Sequence, residues 1–344
     1  MVRQLATKRP LIAITGSAGK TTTKEMLAAI LQTRWRILKS VGNMNFVNHT
    51  MAYKRKIAPF HQAIVLEYGM SNAGHIRRHC QVLRPNIGII TNIGTAHIGS
   101  FGGDIRKLAA AKSELIKNME QTGTLVLNRD DENSKWLLTG GFSGKIIYIG
   151  INKTADYQAS GIQYALQGMR FKVKLNGQIH DFYIPTYGVH HVYNALSAIA
   201  VAHRLGFTPS EIRLGLRNYL RLIRRLQIHR IGQGIRIVDD SYSANPQAVK
   251  AALDVLSHIG SGTNIAVLGS MLGMGVYSTK AHRTVGRYVA GKKVHQLYTF
   301  GNSAQQIGAA ARGAGFPAQN VFHFVNRDAL NRQLRRNLKP GTTV

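Results

Sequence analysis

Residues 11–23, LIAITGSAGKTTT, hold the side chains most suited to chemistry. The set Gly16-Ser17-Ala18-Gly19-Lys20-Thr21-Thr22 follows an apolar run that reads as a strand. The helical pattern TTTKEMLAAILQ follows it. A strand, a glycine turn and a helix N-terminus in that order form a phosphate cradle. Glycines let backbone N–H groups approach phosphate oxygens, and the helix dipole favours negative charge there. Lys20 is placed to reach the terminal phosphates of a nucleotide, and the Thr21 hydroxyl to bind Mg²⁺. Two residues separate Gly16 from Gly19-Lys20, so the loop is shorter than the common form with four. A plain turn of small residues is the alternative, and the order of strand, Gly-Lys-Thr and helix argues against it.

Other reactive side chains fall at the ends of expected strands or the starts of helices, where open α/β sheets bind ligands. Glu67 ends the strand AIVLE and can ligate Mg²⁺, or simply face solvent. His97 closes TNIGTAH just past another strand, where a loop histidine is the plain reading. Lys112 and Glu114 sit in the helical AAAKSEL and read alone as a solvated face. In GVHHVYNA a loop becomes a helix, and the Asn194 amide can bond a base edge. His190 and His191 are adjacent there, and neighbours on a helix are expected to point apart, which argues against a metal pair. In Asp239-Asp240-Ser241-Tyr242-Ser243-Ala244-Asn245-Pro246, two acids end a strand and Pro246 opens a helix. That segment reads as a capping turn that can also serve a ligand.

These residues need a scaffold, and the hydrophobic pattern supplies one. Strands are expected at Ala63–Glu67, Ile87–Thr91, Thr124–Asn128 and Lys145–Ile149. Helices are expected at Thr21–Gln32, Asp104–Met119, His191–Leu205 and Pro209–Leu220. The alternation implies a mostly parallel sheet covered on both faces. Residues 160–184 alternate differently around Asn176-Gly177, which predicts an antiparallel hairpin on the sheet edge. A second series has strands at Ile235–Asp239, Asn264–Leu268, Gln296–Phe300 and Val321–Val325. Its helices start at Pro246, Thr279 and Ser303, with a last one at Arg327–Asn337. The final LKPGTTV reads as the start of a further strand. The fold class is therefore α/β: a P-loop ATPase-type domain over residues 1–224 and a smaller Rossmann-like α/β domain over 225–344.

Composition narrows the function classes. The apolar fraction is that of a globular chain, and no run approaches the roughly 20 apolar residues of a membrane span. The start, MVRQLATKRP, has no apolar core of a secretory leader. Cys80 is the only cysteine, so no internal disulfide forms, which fits a cytoplasmic setting. The net charge of +30 gives a strong positive field that attracts anions. The basic residues peak at Arg221–Arg236 but are not interleaved with aromatics, and no nucleic-acid-binding motif accompanies them. An acidic substrate or a compositional bias of the source is the simpler account of the charge.

Taken in order, TGSAGKTTTKEM, GNMNF, LEYGM, TNIGTAHIGSFG, AAKSEL, GVHHVYNALSAIA, RRLQ, DDSYSANP and VLGSMLGMG span almost the whole chain. This series resembles the Mur ligases, the ATP-dependent amide-bond ligases of cell-wall precursor synthesis. TGSAGKTTTKEM and DDSYSANP are most similar to the member that adds D-alanyl-D-alanine to a UDP-linked tripeptide. The resemblance implies that Gly16, Ser17, Ala18, Gly19, Lys20, Thr21 and Thr22 bind the phosphates of ATP. It implies that Thr21 and Glu67 ligate one Mg²⁺, and that His97 and a carbamylated Lys112 hold a second. Asn194 would contact adenine, and Arg225 and Asp240 would approach the nucleotide from the second domain. Lys20, Lys112 and His97 would be the catalytic set. A carboxylate would attack the γ-phosphate to give an acyl phosphate, which an amine would then convert to an amide.

The chain departs from the family pattern in four places. The phosphate loop starts at residue 16, so no UDP-sugar-binding domain is expected before it. The two acids of the VLGDMxELG-type segment are replaced by Ser270 and Gly273. Phe46-Val47 stand where an Asn-Asn pair is expected. The chain reaches Val344 before an expected Lys-Gly-Ser stretch, so the second domain is expected to be incomplete. These departures leave two alternatives open: a ligase for another acidic peptide or polyamide, with an acid substrate and an amine acceptor, or a non-catalytic ATP-binding module. A partner protein that supplies the missing substrate domain fits either. Neither nucleic-acid binding nor membrane insertion is expected.

Overall fold

The apolar run Leu11–Thr15 forms β1, and each of its residues is buried. A strand with no polar face must be covered on both sides, as in a parallel sheet. The computed structural model describes residues 9–344, so residues 1–8 of the stretch examined for a leader lie outside the described residues. By internal contacts the chain divides into two units, residues 1–94 with 104–220, and residues 95–103 with 221–344.

In the first unit β1 leads into α1 (Lys20–Leu31), β2 (Ile37–Lys39), α2 (Val47–Arg55), β3 (Ala63–Glu67), α3 (His75–Val82) and β4 (Ile87–Ile90). After residue 103 come α4 (Ile105–Lys112), α5 (Glu114–Asn118), β5 (Thr124–Asn128), β6 (Lys145–Gly150), β7 (Tyr157–Ala165), β8 (Gly168–Leu175), β9 (Gln178–Ile184), α6 (Val189–Arg204) and α7 (Pro209–Arg217). One nine-stranded sheet has the order β2-β3-β1-β4-β5-β6-β7-β8-β9. It is parallel from β2 to β7 and antiparallel from β7 to β9. β3 flanks β1 on one side and β4 on the other, so the chain reverses its direction of winding at β1. A crevice therefore opens at the carboxyl end of β1, where residues 16–19 leave the sheet.

The expected hairpin is present, with Asn176 and Gly177 at φ 50° and 87° between β8 and β9. Both central residues of such a turn need positive φ, which Asn and Gly tolerate best. The helix expected over Asp104–Met119 is two helices. Ser113 interrupts it, with Oγ donating to the Ala109 carbonyl at 2.9 Å and accepting from the Leu138 N–H at 2.9 Å. A serine that bonds back four residues competes with the helix ladder. The short β2, α2 and α3 carried no clear periodic signal. In α3, HIRRHCQV, only Ile76, His79 and Cys80 are buried.

The second unit contains β10 (Gln227–Arg230), β11 (Arg236–Asp239), α8 (Pro246–Ile259), β12 (Ile265–Gly269), α9 (Ser278–Ala290), β13 (Gln296–Phe300), α10 (Gln305–Gly313), β14 (Val321–Phe324) and α11 (Arg327–Asn337). β12, β13 and β14 form a parallel sheet over a core of Ile265, Tyr298 and Leu330. β11 pairs antiparallel with β10 rather than directly with β12. Thr343 lies between them and bridges to both Arg236 and Asn264 in parallel sense. The LKPGTTV segment thus contributes strand-like pairing, as its pattern suggested.

Candidate active site

Gly16 and Gly19 bracket the turn from β1 into α1, at φ 144° and 82°. The turn is braced from β4. Ser17 N–H donates to the Asn92 carbonyl at 3.0 Å, and Ala18 N–H to Asn92 Oδ1 at 3.0 Å. Thr91 Oγ1 donates to the Ala18 carbonyl at 2.6 Å, and Ser17 Oγ to the Gly94 carbonyl at 2.9 Å. Lys20 curls back over the loop, its Nζ 2.9 Å from the Gly16 carbonyl. Thr22 and Thr23 are buried in the first turn of α1.

Thr21 Oγ1 donates to Glu67 Oε2 at 2.8 Å. Glu67 Oε1 accepts from Asn45 Nδ2 at 2.7 Å, and the Glu67 N–H donates to Ser40 Oγ at 3.1 Å. A hydroxyl and a carboxylate side by side beside a phosphate cradle are the hard oxygen donors Mg²⁺ takes. The donor set therefore fits that ion, with Thr21 and Glu67 the residues that would hold it.

Lys112 ends α4 and is 1 % exposed. Burial, with the positive charge of Lys20 nearby, pushes its pKa well below the usual lysine value. Among the described residues no carboxylate pairs with it. Glu114 is not on a solvated face. Its carboxylate accepts from the N–H groups of Gly74 (2.5 Å) and Arg77 (3.0 Å) and so caps α3.

Asn194 is buried on α6 against the phosphate loop. Its Oδ1 accepts from Thr23 Oγ1 at 3.3 Å, and its amide nitrogen meets His191 Nδ1 at 3.1 Å. These bonds make it a brace of the loop. The His190 and His191 rings do not point apart, since their centroids are 4.1 Å from one another. His97 belongs by its packing to the second unit. It is exposed, with φ 63°, on a segment held by Thr95 Oγ1 to Gln247 Oε1 (3.1 Å) and Gly99 N–H to the Gly273 carbonyl (3.1 Å). Of the implied metal-binding set, the first unit brings Thr21 and Glu67 into contact, while His97 is carried by the other unit.

Arg225 and Asp240 do come together within the second unit. Arg225 stacks over Tyr242 at 4.2 Å, and Asp240 Oδ1 accepts from the Leu226 N–H at 3.1 Å. The DDSYSANP segment divides its work. Asp239 closes a turn on the Ser241 N–H, and Asn245 caps α8 through the Ala248 N–H. Burial pushes the Asp240 carboxyl up to about 7, against the opposing pull of Arg225. The folded chain thus holds this proton at pH values where the unfolded chain has released it. The stability it contributes is full below the unfolded value of 3.8 and is lost as pH rises toward 7. Asp240→Asn is expected to stabilise the protein at pH 8 by about 1–2 kcal/mol after allowance for solvent screening, and to do nothing at pH 4. Urea melts at the two pH values check this.

Ser270 and Gly273 have structural work of their own. Ser270 Oγ accepts from the Ala304 N–H at 3.2 Å, next to the start of α10. Asn45, Thr91, Asn92 and Lys24 had no role assigned from sequence. Lys24 is fully buried, donates to the carbonyls of Ser40 and Gly42 at 2.6 Å each, and pairs with Glu25 at 2.9 Å. It fixes the turn that leads to Asn45, and nothing in one sequence marks a helix lysine as buried.

His79 secures the segment Tyr68-Gly69 that follows Glu67. Its Nδ1 meets Thr50 Oγ1 at 2.7 Å, its Nε2 meets the Gly69 carbonyl at 3.2 Å, and its ring stacks on Tyr68. Burial lowers its pKa from 6.5 to about 4. The unfolded chain takes up this proton first, so stability present above pH 6.5 is lost as pH falls toward 4. The melting temperature is expected to fall across that window, by the equivalent of up to about 3 kcal/mol, and His79→Gln is expected to flatten the profile.

A glycine cradle, a bracing strand exit, and a hydroxyl–carboxylate pair on a mostly parallel sheet define a P-loop nucleotide-dependent enzyme. Comparison with known proteins makes the assignment finer. A sequence profile described as "Mur ligase middle domain" matches residues 14–202, and "Mur ligase, glutamate ligase domain" matches 224–344. The chain is 32 % identical to the UDP-N-acetylmuramoyl-tripeptide--D-alanyl-D-alanine ligase of Bacillus subtilis, over 100 % of this chain and 73 % of the relative. The crystal structure of MurF from Acinetobacter baumannii superposes with a TM-score of 0.89 at 27 % identity, covering 98 % of this chain and 72 % of that one. MurF ligase from Thermotoga maritima, solved with ADP, shares the fold with a TM-score of 0.84 at 22 % identity, over 98 % and 75 % of the two chains. The chain belongs to the Mur ligase family. It is an ATP-dependent, ADP-forming carboxylate–amine ligase of peptidoglycan synthesis.

Proposed function

We propose that this ligase joins D-alanyl-D-alanine to a UDP-muramoyl tripeptide in the cytoplasm. The observation that carries the reading is the match along the whole chain to ligases of that name. In this reading the Gly16–Thr22 loop holds the ATP phosphates, and Lys20 neutralises charge as the tripeptide carboxylate attacks the γ-phosphate. Thr21 and Glu67 hold one Mg²⁺, which supplies Lewis-acid charge neutralisation when bound. Lys112, neutral because it is buried beside Lys20, is competent to react with CO₂. A carbamate formed there would carry the negative charge that a lysine lacks and would make Lys112 a ligand for a second ion. Arg225 and Asp240, in a domain covering 225–344, are the further nucleotide-binding residues of this reading.

The test is phosphate release from Mg-ATP, with and without both substrates, with Lys20→Ala as control. Release that needs both substrates and is lost in Lys20→Ala supports the reading. A second reading, another acid–amine pair, is favoured by uncharged Ser270 and Gly273 and by Phe46, which is 57 % exposed next to Asn45. Mg-ATP binding without stimulation by the murein substrates would favour that second reading.

A further inference from the structure

Asp130-Asp131, which follow the end of β5 after one intervening residue, take no part in the reaction outlined above, yet both carboxylates are engaged. Asp130 accepts from the N–H groups of Ile151 (2.6 Å), Asn152 (2.9 Å) and Lys153 (2.8 Å), and from the Tyr193 hydroxyl (2.8 Å). Burial opposes its ionisation, but these donors outweigh burial and hold the carboxyl below its usual range. Tyr193 immediately precedes Asn194, the α6 residue that lies against Gly19.

Asp131 Oδ2 accepts from the Ile93 N–H at 2.8 Å and from Ser134 Oγ at 2.6 Å. Asn133 Nδ2 donates to the Ile93 carbonyl at 2.8 Å. Both polar backbone groups of Ile93 are therefore clamped from one short segment. The residues on either side of Ile93, Asn92 and Gly94, are the ones that bond Ser17 and Ala18. The loop of residues 16–19 thus has two walls, the exit of β4 and the second turn of α6. Side chains from a single Asp-Asp-x-Asn segment fasten both.

We propose that Asp131, with Asn133, is a positioning residue that sets the phosphate loop through Ile93, and that Asp130 does the same through Tyr193 and α6. The inference rests on the reading of residues 16–22 as the nucleotide loop. The N–H groups of Ser17 and Ala18 both bond to Asn92, so the loop takes its shape from the strand exit behind it. Binding groups work when held to within about 0.5 Å by such a supporting layer. Two adjacent acids in a P-loop enzyme invite a metal or acid–base reading. Here the N–H groups and hydroxyls already bound to them give them a structural role.

The test compares Asp131→Ala, Asp131→Asn and a remote control, Glu211→Ala, which loses the Thr208 capping box of α7. Two quantities are read on the full chain at a temperature where every variant is folded. One is amide hydrogen exchange of the peptide spanning residues 14–23 without nucleotide, and the other is affinity for Mg-AMPPNP by calorimetry. Asp131→Ala leaves the Ile93 N–H unpaired and is expected to speed exchange and weaken the analogue by about tenfold each. Asp131→Asn keeps an acceptor and is expected to stay within about threefold. Glu211→Ala is expected to change neither, so a general loss of stability does not imitate the effect. Unchanged exchange in Asp131→Ala, or equal damage in the control, overturns the proposal. If Asp131→Ala does not fold, Asn133→Ala breaks the other half of the clamp and is read the same way. A wild type that fails to bind the analogue would refute the nucleotide reading, while the exchange result would still decide this one.

Discussion

Gly19→Ala is expected to weaken Mg-ATP binding by about 100-fold or more, equivalent to roughly 3 kcal/mol. Gly19 has φ 82°, and a Cβ there would lie 2.4 Å from Asn194 Oδ1. Two effects combine, left-handed backbone strain and a steric clash. Gly177→Ala separates them, because Gly177 has φ 87° with nothing within 4 Å of a Cβ. Strain alone costs about 1–2 kcal/mol of stability. Gly177→Ala should therefore lower the melting temperature and leave nucleotide affinity unchanged. Gly19→Ala should instead move Asn194 and with it the Thr23 contact, and so reshape the cradle. Calorimetric titration of both variants with Mg-AMPPNP measures this. Equal affinities in the two variants would mean that the Asn194 contact does not shape the loop.

Replacing Lys112 should separate stability from turnover. Lys112→Met removes a buried amine and keeps the length of the side chain, so the fold should be retained or slightly stabilised. Activity should nevertheless fall by about 10²–10³-fold, the usual loss when one electrostatic group is taken from a reaction centre. Lys112→Arg should fail on both counts. Arginine stays charged and does not form a carbamate, and among the described residues no carboxylate is paired with this position. Turnover and thermal melts of the two variants supply the check. A fully active Lys112→Met protein would sink the carbamate reading.

Much of this protein was legible in its sequence, where the signal is local. LIAIT followed by glycines and a helix gave the strand, the glycine turn and α1, because each is specified by neighbouring residues. The βα alternation and Asn176-Gly177 likewise gave the parallel sheet and its antiparallel edge. The break at Ser113 escaped, because a hydroxyl that bonds back within its helix looks the same as one that faces water. The strand at β11 was legible but its neighbours were not, because strand neighbours are chosen by the whole chain, and residues 342–344 take the place between β11 and β12.

The sequence by itself determined the chemistry on offer: Lys20, Thr21, Glu67 and a cradle of glycines, in an order that marks a Mur-type ligase. Only the tertiary structure decided which residues hold that chemistry in place. Asn45 meets Glu67 across 22 positions, Asp131 meets Ile93 across 38, and Thr23 meets Asn194 across 171. It also buried Lys112 and made Glu114 a helix cap, where the sequence suggested a solvated face. The physical reason is that burial and long-range hydrogen bonds are properties of the packed chain. A lysine or a carboxylate takes its charge state and its partners from what folds around it.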